Sequence, residues 1–319
     1  MKYKIYITDY NFNSIEEIKD TLSAFDCEFI DLQTKDENTL LKSLSDADGI
    51  IVQYSKITPK ILDAMTKCKV ISRLGIGVDM VDTKYAASKG ILVCNVPNYC
   101  IDEVADHTLA LILSIARKII HLNNSVKKGI WDAIGVSKPI FNLKKQVLGI
   151  IGFGKIPQNL YAKVKQIFGD VIVFDPYVSK DIIEKYDINL VTFYNILRSS
   201  DIIVILCPLT DETKYLFDIN QFNLMKKNSF IVNTSRGAII NTTSLYYALK
   251  NNLIAGASLD VLEQEPPGID NELLKFENTI ITPHIAYYSE ESLSELKRLA
   301  ALNVIKVLKG ETPVNVINL

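Results

Sequence analysis

The sequence has few histidines, no closely spaced cysteine pair and no long apolar run. Its three histidines and five cysteines are scattered without a CxxC pair, so their spacing predicts neither a metal site nor a disulfide framework. The longest apolar stretch, Leu109 to Ala116, is too short to span a bilayer. Basic residues number 35 and acidic residues 37, interspersed for a net charge of −2. We therefore expect no metal, no membrane segment and no nucleic-acid partner.

The remaining composition is typical of a globular protein, with 48% hydrophobic residues over 319 positions. That length predicts two domains. Cys94 and Cys207 lie in apolar, strand-like runs, which favours buried free thiols in a reducing compartment. The first ten residues alternate like a strand and show no apolar region of a signal peptide. We expect a cytoplasmic protein.

The most informative stretch begins with the apolar run Val147 to Ile151 and continues into Gly152 and Gly154. A helix-period segment follows, then a second apolar run that ends at Asp175. This is a strand, glycine turn, helix and strand with an acid about 20 residues on, which predicts a dinucleotide site. The glycines and the helix start, Lys155 and Ile156, would hold the pyrophosphate. Asp175 would accept both ribose hydroxyls and repel a 2′-phosphate, which favours NAD over NADP.

One residue departs from the GxGxxG pattern, because Pro157 occupies the place of the third glycine. Proline is tolerated in the first helical turn, where a missing N–H loses no intrahelical partner. We expect the helix to form, and the sequence leaves the effect of Pro157 on cofactor affinity open.

Strand and helix patterns alternate through the chain, which predicts parallel sheets covered by helices. We expect an α/β fold with two Rossmann-like or flavodoxin-like domains. Residues 99–286 would form the NAD-binding Rossmann domain. It would be inserted into a discontinuous substrate-binding domain made of residues 1–98 and 287–319. A long, largely apolar helix from Asp102 to about His121 predicts burial between domains or in a homodimer.

Three successive strand ends of the cofactor domain carry chemically useful side chains. Arg236 can hold a carboxylate with its planar fork of donors. His284 can give a proton to a carbonyl oxygen as a hydride reaches the carbon, and it can act as the base in reverse. Glu265 can orient the imidazole and stabilise its charged form. Glu263 and Asp260 are close enough in sequence to rival it.

Several motifs in order resemble the D-2-hydroxyacid dehydrogenase family over essentially the whole chain. They are SRLGIGVDMVD (72–82), GILVCNVP (90–97), VADHTLAL (104–111), GFG (152–154), CPLT (207–210), NTSRGA (233–238), Asp260-Val261 and Pro283-His284. The stretch VQYSKIT (52–58) looks closest to the branch that includes C-terminal-binding-protein-like and phosphoglycerate dehydrogenase-like members. One departure is Asp106, where many relatives have glutamate.

The resemblance implies roles for particular residues. Arg236, Glu265 and His284 would be catalytic, since the acid directly before proline matches the family's motif. The loop Gly75-Ile76-Gly77 would grip the substrate carboxylate with backbone N–H groups, with Tyr54 on the substrate side. Asp260 would hold the nicotinamide amide. The residues that would line the cofactor cleft are Thr108, Pro208 and Thr234.

The resemblance also implies an activity: NAD-dependent interconversion of a 2-keto acid and an (R)-2-hydroxy acid, in a homodimer. Candidate substrates are 3-phosphoglycerate, glyoxylate, hydroxypyruvate, pyruvate and bulkier keto acids. The length suggests that the regulatory domain of many phosphoglycerate enzymes is lacking, which favours a small substrate. An alternative is an NAD(H)-sensing dimeric interaction protein like the C-terminal-binding proteins. The Arg, Glu and His set favours the enzyme, because a scaffold has no chemical need for it.

Overall fold

The computed structural model describes residues 2–318, and the chain forms two compact units. The first unit combines the residues up to Cys100 with those from Ser289 onward, and the second is Ile101–Tyr288. The structured core of each unit is a parallel sheet with apolar clusters on both faces. This two-sheet α/β architecture confirms the predicted fold class.

The first unit has a five-stranded sheet in the order β2-β1-β3-β4-β5. Its strands are β1 Tyr3–Ile7, β2 Cys27–Asp31, β3 Gly49–Val52, β4 Val70–Arg73 and β5 Leu92–Cys94. Its helices are α1 Glu16–Ser23, α2 Glu37–Ser43, α3 Pro59–Ala64, α4 Thr83–Ser88 and α12 Glu290–Leu308. The C-terminal helix α12 belongs to this unit because its apolar face packs on α1, β3 and β4.

The second unit has a seven-stranded sheet in the order β12-β11-β10-β9-β6-β7-β8. Its strands are β6 Val147–Ile151, β7 Asp170–Phe174, β8 Asn189–Leu190, β9 Ile202–Ile205, β10 Phe230–Asn233, β11 Gly256–Leu259 and β12 Thr279–Ile281. Its helices are α5 Ile101–Ala116, α6 Ile119–Lys127, α7 Lys155–Val164, α8 Lys180–Tyr186, α9 Phe193–Ser199, α10 Ile219–Leu224 and α11 Thr242–Lys250.

The central strands are short apolar runs because helices cover both faces of each sheet. Every residue of β9 (IIVI) and of β10 (FIVN) is buried, with no alternation of polar and apolar positions. The two strands predicted around the glycine turn are confirmed: β6 spans the run Val147 to Ile151, and β7 ends directly before Asp175. The C-terminal helix α12 starts after Ser289, which caps it in a capping box.

Two features differ from the sequence-based expectation. The edge strand β2 was not predicted, since its CEFID sequence is polar and only partly buried. The single helix predicted from Asp102 to His121 is wrong: α5 ends at Ala116 and α6 starts at Ile119. The break lies at Lys118, whose φ of 53° is left-handed. Apolar residues continue at helical spacing through this point, so periodicity alone could not reveal the break.

Within residues 2–318, no helix combines the length and apolarity needed to cross a membrane. All five cysteines carry free thiols. Burial is the main reason that the pKa values of Cys27, Cys68, Cys94 and Cys207 rise. The pKa is raised to about 12 for Cys68 and Cys94 and to about 11 for Cys207. Cys27 is only partly buried, and its pKa is also raised.

We expect the native thiols to react slowly with Ellman's reagent at neutral pH. A raised pKa depletes the reactive thiolate of four of them, and Cys100 is only 2% exposed. Cys27 should react first, and Cys27→Ser should remove that first phase. In denaturant all five thiols should react quickly. A fast native phase that survives Cys27→Ser, or fewer than five thiols in denaturant, would contradict this prediction.

Candidate active site

The predicted site residues of the second unit lie at one edge of its sheet. All strand pairs in this sheet are parallel, so their carboxyl ends meet at the same edge. Following the sheet order from β12 to β7, the residues at or beyond the strand ends are His284, Glu265 with Asp260, Arg236, Pro208, Gly152 and Asp175. The chain runs from β6 to β7 and β8 on one side, then crosses to β9 on the other. The Gly152 loop therefore lies at the topological switch point, where such sheets bind ligands.

The glycine loop has the shape of a phosphate cradle. Gly152 has a φ of 88°, and a Cβ there would lie 2.9 Å from the backbone of Cys207. At Gly154 an added Cβ would meet no protein atom within 4 Å. The chain itself thus requires glycine at 152, whereas the space over Gly154 is open for a ligand. Gly154 is also the N-cap of α7 and gives no side-chain cap, so the helix start is suited to an anion.

The first turn of α7 accommodates the proline. The helix begins at Lys155 and runs unbroken to Val164, with Pro157 buried as its third residue. An N–H at that position would have no intrahelical acceptor, so proline loses nothing there. The expectation that the helix forms is confirmed. Lys155 is exposed and Ile156 half-buried, beside the cradle.

Asp175 follows β7 beside the glycine loop and is fixed by backbone donors. The N–H of Phe153 donates to Oδ2 at 2.7 Å, and the N–H of Tyr177 donates to Oδ1 at 2.8 Å. A carboxylate oxygen has more than one lone pair, so each oxygen can accept a further hydrogen bond. A carboxylate with acceptor capacity left over fits a ribose diol and disfavours a phosphate.

The loop that carries Arg236 is held by a buried asparagine. Asn233 donates from Nδ2 to the Arg236 carbonyl oxygen at 2.9 Å and accepts from the Ser235 N–H at 3.0 Å. Arg236 is half-buried, and its Nη1 donates to the Ser235 carbonyl oxygen at 2.8 Å. The next residue, Gly237, lets the loop pass close to the backbone of Leu262, since a Cβ at 237 would lie 1.9 Å from the Leu262 carbonyl carbon.

His284 and Glu265 form a direct pair. Nδ1 of His284 lies 2.6 Å from Oε2 of Glu265, and the Leu262 N–H donates to Oε1 at 2.9 Å. The two side chains are 25% and 34% exposed, so the pair stays accessible to a small molecule. The ring of Tyr287 stands edge-on to the imidazole at 6.3 Å.

The pKa of Glu265 lies below its usual value. Burial opposes ionisation, but the hydrogen bond and charge of His284, the Leu262 N–H and the charge of Arg236 outweigh it. Glu265 is therefore a carboxylate at neutral pH. Its rival Glu263 accepts hydrogen bonds from the hydroxyls of Tyr215 and Thr242 instead.

Other predicted cofactor residues surround this edge. Thr108 on α5 and Thr234 after β10 are buried, with their hydroxyl oxygens 2.7 Å apart. Pro208 is exposed after β9, and its carbonyl oxygen accepts from Thr213 at 2.6 Å. Asp260 is 1% exposed, and its carboxylate accepts from the segment 282–286. The amide-binding role of Asp260 stays a prediction.

The predicted substrate residues lie in the first unit, after the adjacent strands β3 and β4. The Tyr54 N–H donates to Oδ2 of the buried Asp9 at 2.9 Å. Gly75 has a φ of 146°, and a Cβ there would collide with the Arg73 guanidinium. Asn95 donates from Nδ2 to the Ile76 carbonyl oxygen at 2.6 Å, which fixes the 75–77 loop.

Sequence reasoning missed the residues that hold these loops. Asp9, Asn95 and Asn233 are each at most 3% exposed, and each binds backbone groups of a predicted site loop. The signal in the sequence was a single Asp or Asn directly after an apolar run. Such a residue ends up buried among backbone groups that have left the sheet ladder.

Comparison with known proteins points to one family. Residues 109–286 match the family described as D-isomer specific 2-hydroxyacid dehydrogenase, NAD binding domain. A D-3-phosphoglycerate dehydrogenase of Methanocaldococcus jannaschii is 39% identical over 288 residues, which is 90% of this chain and 54% of that protein. A glyoxylate reductase of Thermococcus litoralis is 35% identical, over 88% of this chain and 86% of that one. The chain spans about half the length of the phosphoglycerate dehydrogenases that it matches.

Solved structures agree with this likeness. A D-lactate dehydrogenase from Aquifex aeolicus, in complex with NAD and lactic acid, superposes with a TM-score of 0.84 at 28% identity. The match covers 97% of this chain and 96% of that one. These relatives are dehydrogenases and reductases, and they give no support to a dinucleotide-sensing interaction protein.

The two glycines of the cradle should separate stability from dinucleotide affinity. Gly152→Ala should destabilise the fold by about 1–3 kcal/mol, because it combines a left-handed φ with a backbone clash. Gly154→Ala should leave stability within about 1 kcal/mol but weaken NADH binding, because its methyl group would occupy the open space. Urea unfolding and NADH fluorescence titration would measure the two effects. Undiminished NADH affinity in Gly154→Ala would contradict the assignment of the cradle.

Proposed function

The chain belongs to the D-isomer specific 2-hydroxyacid dehydrogenase family, and on that premise we propose that it is an NAD-dependent oxidoreductase. It interconverts a 2-keto acid and an (R)-2-hydroxy acid by hydride transfer, with His284 as the proton donor and acceptor. The observation that carries the proposal is the 2.6 Å pair of His284 and Glu265, at the sheet edge that also holds the glycine cradle. The free thiols favour the cytosol as its location.

The cofactor residues support NAD rather than NADP. Gly152, Gly154, Lys155 and Ile156 would hold the pyrophosphate at the start of α7. Asp175 would accept the ribose hydroxyls, and its charge would repel a 2′-phosphate. Residues that would contact the remainder of the dinucleotide are Thr108, Pro208, Thr234 and Asp260. Bound NADH would supply the hydride that reduces the carbonyl carbon and would leave as NAD⁺.

The protein's own groups would place the substrate and move the proton. Arg236 would bind the substrate carboxylate with its guanidinium. Nδ1 of His284 contacts Glu265, so the proton for the carbonyl oxygen comes from Nε2. The carboxylate of Glu265 stabilises the charged imidazole before the transfer and keeps the ring oriented afterwards. Reversal of the same steps makes His284 the base in oxidation.

A small 2-keto acid such as glyoxylate is the proposed substrate. The proposal is supported by the 35% identity to a glyoxylate reductase over 88% of this chain and by the likeness to a D-lactate dehydrogenase, relatives whose names specify small acids. Tyr54, after β3, would lie on the substrate side and help to select the substrate's side chain.

We expect the wild-type protein to oxidise NADH with glyoxylate, hydroxypyruvate or pyruvate, and NADPH much more slowly. His284→Ala should lower kcat by about 100-fold or more, since it removes the general acid. Arg236→Ala should mainly raise KM for the keto acid. The loss of nicotinamide absorbance would measure each rate.

His121→Ala is the matched control, because His121 lies on α6 with Nε2 3.0 Å from the Val136 carbonyl oxygen, far in sequence from the strand ends. It should keep the wild-type rate. Unchanged turnover in His284→Ala, or no turnover of any keto acid by a wild type that binds NADH, would refute the proposed function.

The homodimer is also part of the proposal, and an apolar segment from 119 to 141 supports it. Large apolar side chains in this segment stand in solvent: Ile119, Ile120, Val126, Ile130, Trp131, Ile134 and Phe141. Trp131 is 89% exposed. Beside this segment lies a cavity of ≈ 500 Å³ whose lining includes Ile115, Phe230 and Phe276. An apolar surface of this kind is typical of an interface, and a second copy would cover it.

Ile134→Ser should weaken the dimer, because it places a hydroxyl in the apolar contact. The same substitution at Ile269, which is 91% exposed outside the segment, should leave the dimer intact. Light scattering after size exclusion, over a range of protein concentrations, would measure the mass. A wild-type monomer, or equal behaviour of both variants, would exclude this interface.

A further inference from the structure

The remaining histidine of the chain, His107, contacts the segment that leads to His284. We propose that His107 is a positioning residue, which holds His284 in place through Thr282 and Asp260. The inference rests on the proposed function, in which His284 exchanges the proton with the substrate. Neither the comparisons nor the sequence motifs assign His107 a role.

The backbone at His284 needs support. Its φ is 51°, a left-handed conformation that a non-glycine residue adopts only when its surroundings enforce it. The His284 N–H donates to the Asp260 carbonyl oxygen at 2.7 Å. This bond fixes the peptide from which the imidazole departs towards Glu265. The position of the imidazole therefore depends on Asp260.

The side chain of Asp260 binds the same segment on both sides of His284. Thr282 donates its hydroxyl to Oδ1 at 2.5 Å, and the Ile285 N–H donates to Oδ1 at 3.0 Å. The Ala286 N–H donates to Oδ2 at 2.9 Å. One buried carboxylate thus replaces the ladder partners that the chain loses after β12. If Asp260 shifts, the whole turn from 282 to 286 shifts with it.

His107 completes this arrangement from α5. Its Nε2 lies 3.1 Å from the Thr282 hydroxyl oxygen and 3.5 Å from Oδ1 of Asp260. The single hydroxyl proton of Thr282 goes to Asp260, so its oxygen can only accept from His107. Nε2 of His107 therefore carries a proton and donates it towards Thr282. A histidine with this proton acts as a fixed donor that sets the position of the Thr282–Asp260 pair.

The helix that carries His107 packs tightly on the sheet. Helix α5 is 16 residues long, and its buried side packs on β10, β11 and β12. The next residue, Thr108, contacts Thr234 after β10, in the loop that leads to Arg236. Adjacent residues of one helix thus hold the two loops that carry His284 and Arg236. Such support from behind is what sets the geometry of a reacting group to within a fraction of an ångström.

Two substitutions test whether the donor itself matters. His107→Leu removes the donor at similar size, and His107→Gln places an amide N–H near the position of Nε2. We expect His107→Leu to lower kcat by about 10- to 100-fold, with KM for the keto acid and the NADH dissociation constant within about two-fold. His107→Gln should recover most of kcat. If His107→Leu keeps the wild-type kcat, or His107→Gln is as slow as His107→Leu with a similar Tm, the proposal is wrong.

A double-mutant cycle tests the route through Thr282. Thr282→Val is nearly isosteric and removes both the bond to Asp260 and the acceptor for His107. It should lower kcat about as much as His107→Leu, and the double variant should be no slower than the slower single variant. If the two losses of kcat multiply in the double variant, His107 acts by another route and the proposal is wrong. Thr282→Val also keeps the test open if His107→Leu does not fold.

Hydrogen exchange separates this inference from the proposed function, because it needs no turnover. The peptide amides of Ile285 and Ala286 should exchange faster in His107→Leu than in the wild type, and at the wild-type rate in His107→Gln. A wild type without any keto acid activity would refute the proposed function, yet these amides would still report on His107. Unchanged exchange in His107→Leu would refute the positioning role even if the enzyme is active.

Discussion

Parallel pairing of the seven strands in the second unit is the constraint on which the site depends. It brings the carboxyl ends of β6, β7, β9, β10, β11 and β12 to one edge, although the residues that follow them span more than a hundred positions of sequence. The order of the strands also separates the proposed cofactor residues from the proposed catalytic residues. The glycine cradle and Asp175 follow β6 and β7, whereas Arg236, Glu265 and His284 follow the three strands at the other end of the sheet. In the proposed function, the cofactor cradle and the proton donor therefore share one edge of the sheet.

Beyond that edge the backbone loses its ladder partners, and buried polar side chains take their place. Asn233 binds the loop of Arg236, Asp260 binds the turn of His284, and Asp9 and Asn95 do the same in the first unit. Burying an amide or a carboxylate is costly unless its hydrogen bonds are made. Each of these residues makes several hydrogen bonds, so it fixes its loop in one conformation. The site loops are therefore rigid where they meet the sheet.

The strands and the glycine turn could be predicted because they follow from local rules: apolar runs, turn residues and a terminal acid. The choice between Glu263 and Glu265 could not be made from the residues, since both acids follow β11 within a few positions. Only the fold brings Glu265 to His284 and sends Glu263 to Tyr215 and Thr242. The helix break at Lys118 was hidden for a related reason, because apolar periodicity continued across it. The polar residues behind the loops escaped because their partners are backbone groups far away in sequence.

The carboxylate of Asp260 can hold the turn of His284 and bind a cofactor amide at the same time. Its carboxylate already accepts from Thr282, Ile285 and Ala286, and His107 stands 3.5 Å from Oδ1. Two carboxylate oxygens offer about four lone-pair sites, so a nicotinamide amide would be one further donor to a group that is nearly saturated. A donor added on Oδ2 would use the lone pair that the Ala286 N–H leaves and would leave the Thr282 side undisturbed. The His107 side of the carboxylate can therefore hold the turn of His284 in place whether or not the other side binds a cofactor.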